Sequence, residues 1–447
     1  MKQLITPFTR MAIYACCLVM CIQLHAQTYS VDECVKLALE NSPDIKNREL
    51  AVQAATYHIR EVKSALLPTV NLTGQTLYYR DLPAQYAPAS AFGGPEGSYQ
   101  KLTLSMAQTT SLNIQMTQNL YNHAAITGLK AARVYQEAVV IKAEMGKEDL
   151  AYSVMATYYS IQVLNENLDR LRENIENLEK TTALSKVLKD NDLVSGNSYN
   201  RMQINLENLR NQYETQKLVQ SENITLLKFL MNVEVGRSLQ LEGFNYSGVL
   251  KDSAQTDISQ RSDIRLQQVN IRLAHFDKKV IAAGYYPTLT NTFSYGYTGY
   301  YDSFSPFKQI NDDWIKTSYI ALTLRVPVFD GFQKKNQLRQ KEIAIRQNMN
   351  SLESLKLSAN KEMEDALQNY TINKTLFRNT SSSLALAEQL FASSRTEYEN
   401  GITSLTDLLN AQNDLSNARN NYSSALLNLR LAELALRKAN GTIISKS

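Results

Sequence analysis

The sequence predicts an α+β membrane protein in which each chain supplies four strands to a trimeric 12-stranded β-barrel, continued by a barrel of long coiled-coil helices. Three observations predict it: an internal repeat with a period near 210 residues, a pattern that switches between helical and alternating periods within each repeat, and an export leader followed by no apolar helix. The 447 residues include only 16 Gly and 9 Pro and carry 47 basic against 43 acidic side chains. Collagen-like and Pro/Gly-disordered readings therefore fail, and nothing argues for nucleic acid. Residues 96–286 and 328–447 hold no proline, which leaves room for long helices.

Residues 1–26 carry Lys2 and Arg10, no acid, and an uncharged run from Met11 to Leu24 ending at His25-Ala26. That reads as a secretory signal peptide, too short to span a bilayer. The alternative is lipid attachment at Cys21, although Met20 stands where a lipobox needs Gly, Ala or Ser. Cleavage after Ala26 leaves Cys34 as the only thiol, so the exported chain is held by packing without disulfides. No later stretch reaches 18 consecutive apolar residues, so any membrane-spanning part must use strands.

The first repeat occupies 27–232. Ser30 and Glu33 form a capping box for a helix over 32–66, which Pro68 ends. Strands follow over about 68–80 and 100–118. There Val70, Leu72, Leu102, Leu104, Met106, Leu112, Ile114 and Met116 alternate with Thr, Ser, Asn and Gln. Leu104 is thereby assigned to an apolar, lipid-facing side and Thr103 to a lumen. A helix over 122–190, about 100 Å long at the α-helical rise, leads through a turn at Gly196 to a returning arm, 198–232. A linker spans 233–257.

The second repeat, 258–440, runs through the same sequence of elements before a tail, 441–447. Its strands fall at about 287–300 and 315–328, with Leu322 facing lipid and Thr323 and Arg325 facing the lumen. Its long helix covers 331–399, its turn centres on Gly401 and its returning arm covers 404–440. Ala65-Leu66-Leu67-Pro68-Thr69-Val70 recurs as Gly284-Tyr285-Tyr286-Pro287-Thr288-Leu289. Gln203, Leu206, Arg210 and Tyr213 return as Gln412, Leu415, Arg419 and Tyr422. Heptads at Ile161, Leu164, Leu168, Leu171, Ile175 and Leu178, and along Leu408 to Leu436, predict knobs-into-holes packing.

Four strands cannot close a barrel, and open apolar-faced edges in an exported protein invite aggregation, so several copies must close it together. Tyr78, Tyr79, Tyr295, Tyr297, Tyr300, Tyr301, Phe304, Phe307 and Trp314 would then mark a membrane interface. Core packing is the alternative for these rings.

The chain resembles the TolC-like outer membrane efflux protein family over essentially its whole exported length. The resemblance rests on Leu37-Ala38-Leu39-Glu40-Asn41-Ser42-Pro43-Asp44-Ile45, on the Leu67-Pro68 and Tyr286-Pro287 strand entries, on Val326-Pro327-Val328-Phe329-Asp330-Gly331, and above all on the run from Tyr398-Glu399-Asn400-Gly401 to Asn410-Ala411-Gln412. It implies a homotrimer in the outer membrane with a long periplasmic helical barrel and a mixed equatorial region. It also implies an exit duct that works with a periplasmic membrane-fusion adaptor and an inner membrane pump of RND or ABC type. The family's periplasmic gate would fall where the helix pairs turn. Asp407 matches a position whose carboxylates ring the constriction, while a second ring would fall on Asn410 and the gating Arg on Thr403. Tyr398 matches a Tyr that links neighbouring helices, with Ser198 or Arg201 where its acidic partner is expected. From the residues alone, the alternative for Asp407 is a solvated acid at a helix N-terminus that compensates the helix dipole.

Metal, nucleotide and serine-hydrolase motifs are missing, so the sequence predicts no enzyme, no cofactor and no metal site. The competing class is an exported coiled-coil structural protein that does not conduct. The two-faced strands discriminate, because a scaffold has no use for a polar face opposite an apolar one.

Overall fold

The computed structural model describes residues 28–192, 194–243, 258–304 and 314–444. The signal peptide expected over 1–26, with Cys21, lies outside the described residues, as do Phe307, 244–257 of the linker and 445–447 of the tail. In chain order the elements are β1 (Thr28–Tyr29), α1 (Val31–Asn41), α2 (Pro43–Ser64), β2 (Thr69–Tyr78), β3 (Gln85–Pro88), β4 (Tyr99–Leu102), β5 (Gln108–Asn122), α3 (His123–Asp190) and α4 (Gly196–Leu230). Then follow β6 (Gln240–Leu241), α5 (Ser262–Ala283), β7 (Thr288–Tyr301), β8 (Ile315–Arg325), α6 (Gln333–Glu399) and α7 (Leu405–Ala439).

Local chemistry sets the boundaries. The Ser30 hydroxyl accepts from the Glu33 N–H at 3.3 Å while Glu33 Oε2 accepts from the Ser30 N–H at 2.9 Å, a complete capping box that starts α1. The single helix expected over 32–66 is two helices. Pro43 excludes helical backbone from the residue before it, so Ser42 takes φ −56°, ψ 125° and α2 restarts on Pro43. Helices α2 and α5 each have 22 residues, α3 and α6 have 68 and 67, and α4 and α7 each have 35.

The chain forms two compact units. One contains 140–266, 352 onward and the residues up to Ala51. Its core runs along α3, α4, α6 and α7 with the heptad side chains: Ile161, Leu168, Leu171 and Leu178 are buried, as are Leu408, Ala411, Leu415, Tyr422, Leu429 and Leu436. At one level of this unit β1 pairs in parallel with β6. Cys34, Ala38, Val154, Tyr158, Leu227, Met231 and Leu434 pack in one cluster there, and the Tyr158 hydroxyl donates to the Tyr29 carbonyl at 3.0 Å.

The other unit contains 52–139 and 267–351. Its centre is one antiparallel sheet in the order β2-β5-β7-β8. The strand expected over 100–118 begins later. A separate hairpin, β3–β4, intervenes, and Thr103 and Leu104 lie in the connection between β4 and β5. Apolar alternation continues from Leu102 to Met106, but β2 ends at Tyr78, whose partner is Gln108. One further backbone hydrogen bond, from the Tyr79 N–H to the Ala107 carbonyl at 2.8 Å, closes the ladder, and among the described residues no strand of this sheet runs on beside residues 102–106. Leu104 and Thr103 therefore do not report on the faces of the sheet.

Candidate functional site

Two features carry the chemistry: the faces of the four-stranded sheet and the turns that join the helix pairs. Directly paired residues in an antiparallel sheet point to the same side, so the register sorts side chains row by row. Val70, Met116, Phe293 and Ile320 form one row, and Leu72, Ile114, Tyr295 and Ser318 the row two residues away. Interleaved with them, Thr69, Thr117, Thr292 and Ala321 form a row, then Asn71, Gln115, Ser294 and Tyr319, then Thr73, Asn113, Gly296 and Thr317. The first face is mainly apolar, although Gln118 and Asn291 lie on it in the row of Leu322 and Lys316 in the row of Leu112 and Tyr297. The other is a lattice of hydroxyls and amides, in which Ser294 donates to Asn113 Oδ1 at 2.8 Å and Thr290 to Asn119 Oδ1 at 3.2 Å.

On β8, Leu322 pairs with Asn291 and lies on the side of Phe293 and Ile320, while Thr323 pairs with Thr290 and Arg325 with Thr288 on the polar side. Most side chains of β2 and β8 are exposed on both faces, and both of these edge strands are open. At the far end of the sheet, Tyr78 packs edge-on against Phe304 with ring centroids 5.3 Å apart.

The turn after α6 is built by Gly401, whose φ of +71° needs a residue free of Cβ strain, and by Ser404, which caps α7. Ser404 Oγ accepts from the Asp407 N–H at 3.2 Å and its own proton goes to Asp407 Oδ2 at 2.6 Å; Thr403 Oγ1 adds a contact at 3.3 Å. These hydrogen bonds, Ser404's first, hold the exposed Asp407 carboxyl below the usual aspartate range. Asn410, one turn further, is also exposed.

The turn after α3 has the same plan with different residues. Its left-handed residue is Asp192, at φ 58°. Gly196, expected to make this turn, is instead the first residue of α4. Ser195 caps α4, and Ser198 occupies the place that Asp407 holds in the other turn: its N–H donates to Ser195 Oγ at 3.2 Å and the two hydroxyls lie 3.0 Å apart. One tip thus carries a carboxylate at the third helical position and the other a hydroxyl.

Tyr398 reaches neither Ser198 nor Arg201 through a hydrogen bond among the described residues. Its ring packs against the buried cluster that includes Met202, Leu206 and Leu408, and its buried hydroxyl has no partner among the described residues. Arg201 is exposed and makes no ion pair among the described residues.

Two features had no signal in the sequence. Gln412, in the third turn of α7, is 2% exposed and both of its amide atoms lack hydrogen-bond partners among the described residues. Across the helix pairs, Arg170 binds Glu166 at 2.9 Å and Glu388 at 3.2 Å, and Arg419 donates to the Arg170 carbonyl at 3.3 Å. No heptad rule locates either, since both depend on which helix faces which.

Cys34 is fully buried and desolvation pushes its thiol up to about 12, so it is chemically inert. Among the described residues no group of His, Cys, Asp and Glu could hold a metal, and no helix is long and apolar enough to cross a membrane.

The family model described as outer membrane efflux protein matches residues 34–229 and 254–442. Toxin and drug export protein A of Aggregatibacter actinomycetemcomitans is 21% identical over 389 residues, covering 85% of this chain and 79% of that protein. Among solved structures, CusC aligns with TM-score 0.74 at 18% identity over 92% of both chains. The Campylobacter jejuni CmeC outer membrane channel aligns with TM-score 0.74 at 17% identity, over 93% of this chain and 86% of its own. VceC from Vibrio cholerae aligns with TM-score 0.73 at 15% identity, over 92% and 96%. The fold is that of these channels.

Proposed function

The chain belongs to the outer membrane efflux protein family, and we propose that three copies of it close a 12-stranded barrel and a periplasmic helical barrel into a passive exit duct, served by a periplasmic adaptor and an inner membrane pump of RND or ABC type. The observation that carries this reading is the sheet: among the described residues it has four strands and both edges open, with one face mainly apolar and the other rich in Thr, Ser, Asn and Gln. Such a sheet has unpaired edge groups and an apolar face that only closure within a bilayer satisfies.

The internal repeat supports the same assembly. At an offset of 209 residues, α6 positions Leu367, Ile372, Leu376 and Leu390 correspond to α3 positions Tyr158, Val163, Asn167 and Thr181. The four on α3 are buried within the chain, and the four apolar ones on α6 are exposed. Val163 packs in a cluster with Leu415, Tyr422 and Leu426 of α7. If α4 of a second copy covers α6 as α7 covers α3, the exposed row is buried and the contact repeats around a ring.

Asp407 would then contribute one of three carboxylates at the periplasmic constriction, where a ring of like charge favours cations. Neither Asn410 nor Thr403 adds a charge there. Energy for export would come from the pump.

The test is single-channel recording of the purified protein in planar bilayers. A trimer in detergent that yields discrete ohmic conductance, unaffected by nucleotide, is the expected result. A stable monomer that inserts without conductance would leave the non-conducting coiled-coil reading in its place.

A further inference from the structure

The junction between β8 and α6 leaves a cluster of side chains that nothing in the chain uses. Val328 is 92% exposed, Phe329 76% and Phe332 59%, and the Phe329 and Phe332 rings meet edge-on at 5.5 Å. Phe332 has φ +65°, directly after Gly331 at +63°. An aromatic residue takes left-handed backbone only at a cost, and here that cost exposes the ring instead of burying it. Something outside the chain must compensate.

A cavity of about 230 Å³ lies in the cluster, lined by Tyr285, Val328, Phe329, Phe332, Lys334 and Lys335 among others. Lys334 is committed to Asp330 at 3.0 Å. Lys335 has no carboxylate partner among the described residues, and its ammonium stands 5.4 Å from the Phe332 ring centroid. Both lysines sit in the first turn of α6, where the helix dipole disfavours cations.

The cluster lies just past the helix-side end of the apolar face, beyond the row of Leu289 and Leu324. Beside that row, Tyr121, His123 and Tyr286 form a ring stack, with His123 and Tyr286 centroids 4.5 Å apart. From Leu289 to Tyr301, at the other end of β7, a tilted strand of this length rises about 30 Å, the thickness of a hydrocarbon core. The two aromatic ends of the sheet are thus spaced as the two interfaces of a bilayer.

We propose that this junction is a phospholipid-headgroup site at the periplasmic leaflet: Phe329 and Phe332 seat in the glycerol region and Lys335 binds the lipid phosphate. The proposal rests on the apolar sheet face meeting lipid, and the experiment separates the two.

In a Trp314→Phe background, Phe329→Trp and Leu322→Trp each give a protein with a single indole. Both are reconstituted with lipids brominated at shallow acyl positions. The expected result is that both indoles are quenched roughly twofold or more, and that a brominated phosphatidylglycerol quenches the one at position 329 more than brominated phosphatidylcholine does. Lys335→Gln should abolish that preference without changing the Leu322→Trp signal. If the indole at 329 escapes bromolipid, whether it is open to aqueous acrylamide or shielded from both quenchers by a neighbouring copy, the headgroup site is overturned. If the anionic preference survives Lys335→Gln, the phosphate role of Lys335 is overturned. If the Leu322→Trp indole also escapes quenching, it is the membrane reading of the sheet that fails.

Discussion

The Ser404 hydroxyl lies 2.6 Å from Asp407 Oδ2, and 209 residues earlier Ser195 and Ser198 make the equivalent cap with hydroxyls 3.0 Å apart. The two helix pairs therefore end in the same local geometry, but only one presents a carboxylate from its cap. If a trimer brings these tips together, the Asp407 carboxylates alternate with the Ser198 hydroxyls around the ring.

The sheet faces can be tested on adjacent residues of β8. Leu322→Arg places a charge on the apolar face and should cost about 2–4 kcal/mol near the midplane, whereas Thr323→Arg, on the polar face, should be milder. Trimer yield and the heat needed to dissociate the trimer in detergent report the difference. On β5 the corresponding comparison is Ile114 with Asn113, because Thr103 and Leu104 lie outside the sheet.

Much of this architecture was legible in the sequence. Alternation at Leu112, Ile114 and Met116 marks β5 because a residue period of two has no helical reading at that polarity, and heptads in α3 and α7 show which sides are buried. What was not legible followed from pairing. The start of β5 is fixed by where β2 ends, not by its own alternation, which runs on through Leu104. Gly196 looked like the turn residue since glycine favours left-handed backbone, but that conformation falls on Asp192, a residue type that also tolerates it. Gln412 belongs to a recognisable run, yet its isolation inside the bundle depends on neighbours from other helices.

Neighbouring copies should be linkable at positions chosen by the repeat. Arg170 of α3 lies over the Tyr422 ring of α7 at 5.5 Å; the corresponding residues at the 209 offset are Asn379 and Tyr213. The double variant Asn379→Cys, Tyr213→Cys, treated with a short bismaleimide, should run as dimer and trimer bands on denaturing gels, and each single variant as monomer. Cys34 will not interfere, being buried with its thiol pushed up to about 12. Monomer alone in the double variant would exclude the repeat as a guide to the interface.

Gln412→Met should stabilise the tip. A buried amide without partners carries a desolvation penalty of about 1–3 kcal/mol, and methionine fills a similar volume without it. Thermal unfolding of the trimer should move upward, with the helical circular dichroism at room temperature unchanged. A lower midpoint would mean that Gln412 finds partners in the assembly.

Asp407 supplies the sharpest test of conduction. Asp407→Asn should reduce cation preference in planar bilayers and weaken block by multivalent cations, while trimer yield hardly changes. The effect should be larger at low salt, where the Debye length approaches about 30 Å. The pH dependence follows from the cap. The Ser404 hydrogen bond lowers the Asp407 carboxyl below its ordinary value, so the charge persists as pH falls past about 3.9, where an unperturbed aspartate titrates, and is lost only as pH falls through the depressed one. Its contribution to the stability of α7 has the same sign, complete above the unfolded pKa and lost in that lower window. Ser404→Ala removes the cap, at a cost of about 1 kcal/mol to the helix, and should move the loss of cation preference to higher pH. Unaltered selectivity in Asp407→Asn at low salt would make the residue a helix-capping acid and nothing more.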